Sequence, residues 1–518
     1  MSFELETESI RIYEPIKTAN VKTVIDTDII VPDTKPDVLN ILQVNALSSI
    51  TEKRLQKDAV SVMGYVDYTV LYSGGEENVQ VKSINYRAPF SQVIDAMGIS
   101  DDMFNYVTSN VSHIEFHVQN SRKINIKSVV CFDTGAYLKK NISAASSVVS
   151  ELNLPSKKED IKALDICVCS NNSFFVSNEI RLNSQIDGTC EILKTDAKLR
   201  AGEVKTMNNK VVIKGSLITD TLYSIDDDIY HLENEIPFTE VLDVDDISPD
   251  MHTEIRYNIT GLDTELVGDS DDNVIRYDAT VDVLIKAFEE NLYPIISDIY
   301  SPDYQMNVKG DKIRVFSVED LSNKTFSVNE TVSISENMPG IVKVYNLSVN
   351  PIAEVLSINN GVGTIDGHLA IKLLYLSDSK SMPVYSVDKK VPFKFDINTD
   401  MQKENMCLES NITLEHASYT LKSDRDAEIR VALKADTKFI SSADKEIITD
   451  ISIDEDAPLK KSNQSGITIY FADDSESLWD IAKRYNTTAE EIAKVNNLSE
   501  NEVLEKRQQL LIPKRVAI

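Results

Sequence analysis

Apolar and polar residues alternate through three segments of one layout: Val62–Tyr72, Ile213–Tyr223 and Ile365–Tyr375. In each, an apolar residue stands two places before a glycine (Gly64, Gly215, Gly367), and a Leu-Tyr pair follows seven and eight places after it. Side chains alternate between the two faces of a strand, so even offsets from the glycine share a face. That face carries Val62, Val66, Tyr68, Val70 and Tyr72 in the first copy and Ile365, Leu369, Ile371, Leu373 and Tyr375 in the third. The other face carries Asp67 and Thr69, Asp220, and His368 and Lys372. The pattern predicts a half-buried strand with a core face and a wetter face.

The neighbourhood repeats as well. Polar turns follow (Ser73–Gly74–Gly75, Asp226–Asp227–Asp228, Ser377–Asp378–Ser379), which predict hairpins. Each turn is followed by a Pro-Phe pair, Pro89–Phe90, Pro237–Phe238 and Pro392–Phe393, which predicts a strand end or edge. Leu42, Leu193 and Tyr345 each lie 22 residues before the repeat glycine, and the glycines are 151 and 152 residues apart. Later alternating runs, Ile114–Val118, Ala279–Ile285 and Glu428–Ala435, predict further strands. The expected fold is mainly β, with three tandem β-sandwich or barrel-like repeats. Short helices are expected at Pro36–Leu42 and Phe90–Ile94. The expected boundaries are 1–160, 161–310 and 311–453, then a polar linker at 454–466 and a small module at 467–518.

In that last module the period changes. A short apolar strand, Ile467–Ala472, precedes Ser477–Asn486, where Leu478, Ile481, Ala482 and Tyr485 fall at helical spacing behind a Ser477/Asp480 N-cap pair. Thr488 and Glu491 form a capping-box pattern, and Ile492, Val495 and Leu498 continue an apolar stripe. Gln508–Pro513 closes the segment as a strand ended by Pro513. These residues resemble a LysM module, which implies a βααβ plan. The Gly-Asp-Thr and Gly-Gln of such modules are replaced by Ser475–Glu476–Ser477 and Arg507–Gln508. Those glycines line the sugar groove in the family, so the replacements argue against glycan binding. Trp479, the only tryptophan, is either a structural aromatic on the first helix or an interface anchor. With Ile467 and Tyr470 it can form one apolar patch, better suited to a protein partner than to a sugar.

The first copy also carries Ile30–Val44, with Pro-Asp at 32–33 and again at 36–37. With the Gly…Leu-Tyr…Pro-Phe pattern this resembles the SPOCS domain of sporulating bacteria. SPOCS repeats ahead of a LysM module look like the SipL and SpoVID family of spore morphogenetic proteins. The second copy lacks the Pro-Asp string and the third keeps little of it. The resemblance implies a protein of the mother cell cytoplasm, at the forespore surface and spore coat. It would bind the coat ATPase SpoIVA through the LysM module and help coat layers encase the forespore, its repeats offering surfaces for self-association or other coat proteins.

Charge and composition narrow the alternatives. The 518 residues carry a net charge of −30, spread along the chain, which argues against nucleic acid and anionic membranes. Met1–Glu8 is acidic, whereas a secretory signal needs a basic start and an apolar run of about 7–15 residues. No stretch approaches the roughly 18 apolar residues of a membrane span. Cys131, Cys167, Cys169, Cys190 and Cys407 are odd in number and irregularly spaced, which predicts reduced, mostly buried thiols rather than zinc or disulfides. His113 and His117 share a strand face without further metal-ligand spacing, and no glycine-rich run fits a phosphate loop. The sequence therefore presents no catalytic or metal residue and no cofactor motif. A peptidoglycan-binding LysM protein is the second reading.

Overall fold

The computed structural model describes residues 3–75, 79–100, 103–182, 189–267, 274–379, 383–401, 403, 405–459, 466–473, 476–499, 504 and 507–513. Each repeat builds one unit of six strands. The first holds β1 (Phe3–Ile30), β2 (Val38–Gln56), β3 (Ala59–Gly74), β4 (Gln80–Asp95), β5 (Phe104–Asn120) and β6 (Lys123–Ser150). The second holds β7 (Ser156–Arg181), β8 (Cys190–Met207), β9 (Lys210–Ile225), β10 (Asp228–Asp243), β11 (His252–Val267) and β12 (Val274–Ile299). The third holds β13 (Tyr304–Ser333), β14 (Ile341–Asn359), β15 (Val362–Ser377), β16 (Val384–Asn398), β17 (Met406–Leu421) and β18 (Asp426–Pro458).

Within a unit, strands two to four form an antiparallel meander, and the sixth strand pairs with both the first and the fifth. The two sheets face each other as a small sandwich. The predicted core face is buried: Val62, Val66, Tyr68, Val70 and Tyr72 pack with Ile124, Ile126, Val130 and Phe132 of the facing sheet. Hairpins form at the predicted turns. Between β9 and β10, Asp226 and Asp227 both take positive φ (46° and 75°), as a type I′ hairpin requires. The breaks between units fall at 151–155 and 300–303, earlier than the boundaries read from sequence. Residues 454–458 of the expected linker belong to β18, and 460–465 lie outside the described residues.

The repeat motif is a packing device. Pro89, Pro237 and Pro392 lie within β4, β10 and β16, the edge strands of their meanders, where a missing N–H can face away from the ladder. The phenylalanine after each proline pairs directly opposite the repeat glycine: Gly64 with Phe90, Gly215 with Phe238, Gly367 with Phe393. A Cβ on Gly64 would stand 2.0 Å from the Ser49 carbonyl oxygen and 2.7 Å from the Phe90 ring; on Gly367 the same distances, to Ile352 and Phe393, are 2.2 and 2.7 Å. The neighbouring strand bulges at this point in all three units. Gly64→Ala is therefore expected to cost about 1–3 kcal/mol through overpacking, read as a lower urea midpoint.

Two sequence expectations fail here. Pro36–Leu42 runs into β2 and Phe90–Ile94 lies in β4; neither is a helix. Val38, Ile41 and Leu42 are buried at the i, i+3, i+4 spacing of a helix. Register shifts between Val38 and Asn40 and between Ile41 and Gln43 produce that spacing on a strand. In β4, Phe90 and Ile94 are buried while Ser91, Val93 and Asp95 are exposed, a period of two.

The units form a closed ring around a pseudo-threefold axis. β4 meets β8, β10 meets β14, and β16 meets β2. The residues 22 places before each glycine, Leu42, Leu193 and Tyr345, come together there with Leu71, Leu222 and Leu374, the leucines of the three Leu-Tyr pairs. The paired tyrosines turn the other way: Tyr72 and Tyr375 donate to the carbonyls of Pro36 and Pro339, both at 3.1 Å. Next to this apolar layer, Lys194 donates to Gln43 Oε1 (2.7 Å) and Asn346 Oδ1 (3.5 Å) and pairs with Asp196 (2.6 Å). Gln43, Lys194 and Asn346 are each about 4% exposed and belong to three different units.

The first and sixth strands of each unit are long because they serve two cores. Register shifts at Pro15/Lys17, Ala287/Phe288 and Val318/Asp320 divide them into a sandwich part and a ribbon part. The three ribbons pack together through Ile10, Ile12 and Ala144, Ile161, Tyr293 and Ile295, and Ile313, Val315 and Ile447. Lys286 lies over the Tyr106 ring at 3.9 Å, and Lys438 pairs with Glu254 (2.7 Å) and Glu409 (3.0 Å), so cations also join the units.

Candidate partner-binding site on the LysM domain

After the ring, β19 (Ile467–Ala472), α1 (Leu478–Arg484), α2 (Ala489–Asn496) and β20 (Gln508–Pro513) form the βααβ arrangement. Ser477 caps α1 by accepting from the Asp480 amide, and Thr488 with Glu491 makes a complete capping box on α2. Leu478, Ile481, Ala482 and Ile492 are buried as expected, but Val495 is 41% exposed; Ala489 and Ala493 fill the inner face of α2 instead. Asn496 ties α2 to β20 by donating to the Leu511 carbonyl and accepting from its amide, both at 2.7 Å.

The three residues chosen from sequence do not form one patch. Ile467 and Tyr470 are three apart on a strand and so point to opposite faces. Tyr470 turns inward, 5.5 Å from the Tyr485 ring, and donates to Glu476 at 3.0 Å. Trp479 is occupied by the ring of repeats. Its Nε1 donates to Asp298 Oδ2 at 2.7 Å, and its indole meets Tyr300 edge-on at 5.0 Å. Lys483 pairs with the other Asp298 oxygen at 2.7 Å. Tyr300, between β12 and β13, joins the LysM core and donates to the Thr487 carbonyl at 2.9 Å. A buried aromatic and a doubly paired carboxylate thus dock the module on the connector between the second and third units.

What remains open is the outer face of β19. Ile467, Ile469 and Phe471 are 52%, 58% and 61% exposed. Their cross-strand partners on β20 are Pro513, Leu511 and Gln509. The sequence reading found Ile467 but missed Ile469 and Phe471, although all three share one parity in an apolar run. Glu476 and Arg507, from the two segments where the family glycines are replaced, both meet Asp473. The Glu476 carboxylate accepts from the Asp473 amide (3.1 Å), Tyr470 and Arg484. Burial opposes its charge, but these donors hold its pKa below the usual carboxylate range. Arg507 pairs with Asp473 at 3.1 Å.

Other candidate chemistry is sparse. Among the described residues one group of possible metal ligands comes together, Asp165, Cys167 and Glu289. The Arg11 guanidinium already lies 3.4 Å from Asp165, so the group reads as an ion-paired junction between the first two units. His113 pairs with Glu115 instead of joining a ligand set with His117. All five thiols are free. Cys131 is buried and Cys407 exposed, while burial followed by Asp165 and Glu289 pushes Cys167 up to about 12. No helix among the described residues is long and apolar enough to cross a membrane.

A family model described as SipL, SPOCS domain, matches residues 37–119, 190–267 and 340–422, once in each six-strand unit. A LysM domain model matches residues 475–513. The chain is thus a protein of SPOCS repeats with a C-terminal LysM domain. It belongs to the SipL family, whose members are associated with sporulation and the spore coat. Both are domains of binding or scaffolding. Each SPOCS match covers the meander and the fifth strand and omits the two long strands. No curated protein and no solved structure matches the chain.

Proposed function

We propose that this protein is a non-enzymatic scaffold of coat assembly. It acts in the mother cell cytoplasm at the forespore surface, holds a SpoIVA-like coat ATPase through its LysM domain, and promotes encasement of the forespore. The observation that carries the reading is the outer face of β19, where three large apolar residues in one row stay exposed on a chain of net charge −30. Such a row on a small polar module fits a protein contact. Glu476 and Arg507 close the loops a glycan would approach, which favours a protein over a sugar. The closed ring adds a rigid body with three related outer surfaces for other coat proteins or self-association.

The test is capture of a purified SpoIVA-like ATPase by the full chain and by a chain ending at Gly466. Capture by the full chain alone supports the proposal. Equal capture by both would move the contact to the repeats, and specific retention of the full chain on purified peptidoglycan would favour the second reading.

A further inference from the structure

The three units leave a cavity of about 990 Å³ where they meet, and each contributes wall residues. Its wall includes the face of β3 and β15 that the sequence marked as wetter: Asp67, Thr69, His368 and Lys372 line it. The charge of this cavity departs from that of the chain. Its walls hold six Lys and Arg against four Asp and no Glu, whereas the whole chain carries 53 Lys and Arg against 83 Asp and Glu. Asp67 pairs with Arg87, Asp196 with Lys194, and Lys389 with Glu330, which leaves Lys198, Lys372 and Lys390 against Asp263 and Asp388.

Of these three lysines Lys390 is exposed, and Lys372 and Lys198 are the half-buried ones. Lys372 donates to the Val44 carbonyl at 2.9 Å and has no carboxylate within ion-pair distance among the described residues. Burial lowers its pKa, Asp388 on the paired strand opposes this, and the nearby Lys194 ammonium lowers it further. Lys198 has no ion pair among the described residues.

We propose that this cavity binds a small anion carrying two or more negative charges, with Lys372 and Lys198 as charged contacts. The occupant would touch the second and third units, and Lys372 links it to the first through the Val44 carbonyl, which tightens the ring. Phosphate and carboxylate share the required chemistry, and the probes separate them.

The experiment is calorimetric titration of the full chain with pyrophosphate and, separately, citrate, against a chloride control of equal ionic strength, with thermal unfolding in parallel. The expected result is saturable binding of at least one probe, a higher Tm, and affinity reduced about tenfold or more in Lys372→Met and Lys198→Met. Lys198 is only half-buried, so Lys198→Met decides the matter if Lys372→Met does not fold. No binding beyond the chloride control, or wild-type affinity in Lys198→Met, would overturn the proposal.

Discussion

Lys194→Ala is expected to lower the stability of the chain by about 3–5 kcal/mol, because it removes one partner of a buried ion pair and strands the other. Lys194 sits on the axis of the ring, and its ammonium is shared among Asp196, Gln43 and Asn346. Removing it leaves two amide oxygens and a carboxylate that were desolvated when the units closed. The loss should appear in urea or thermal unfolding and should extend to all three units, since Gln43 and Asn346 belong to the other two. Lys194→Met with Asp196→Leu removes both charges and keeps similar volume, and is expected to recover most of the loss. A small cost for Lys194→Ala, or no recovery in the double variant, would show that the charge does not organise the axis.

Tyr300→Ala should undock the LysM domain. The ring of Tyr300 is 6% exposed within the LysM core, packs edge-on against Trp479, and spends its hydroxyl on the Thr487 carbonyl. Truncating a buried aromatic to alanine costs about 3–5 kcal/mol, enough to move a docked equilibrium by more than a hundredfold. Small-angle scattering should report a larger radius of gyration, and protease should cut faster between Pro458 and Gly466. Unchanged scattering and cleavage would mean that Tyr300 does not hold the domain. The same geometry predicts how Trp479→Glu acts: it sets a carboxylate beside Asp298, which undocks the domain and leaves the β19 face untouched.

Much of the fold could be read from period and spacing. The core strand of each unit, its hairpin, its edge proline and the βααβ module follow from alternation, turn residues and caps. The 22-residue offset of Leu42, Leu193 and Tyr345 was visible too, but not its meaning. Equivalent positions in a string of separate domains and in a closed ring share one sequence pattern, and only the meeting of these side chains distinguishes them. The apparent helix at Pro36–Leu42 came from bulges that imitate helical burial. At the candidate site the error was one of parity. Ile467 and Tyr470 are both singled out although they lie three apart on β19, because an apolar run hides which residues face outward. Nothing local to Trp479 tells that its partners are Asp298 and Tyr300, some 180 residues earlier.

The most direct test is the affinity of a purified SpoIVA-like ATPase for three full-length chains: wild type, Ile469→Glu and Asp298→Ala. Asp298→Ala removes the carboxylate shared by Trp479 and Lys483 and leaves the β19 face untouched, whereas Ile469→Glu puts a charge in the middle of that face. The expected result is a loss of tenfold or more for Ile469→Glu and binding at least as tight as wild type for Asp298→Ala. Wild-type affinity in Ile469→Glu, with loss confined to Asp298→Ala, would contradict the account and place the partner's contact on the docked side of the LysM domain.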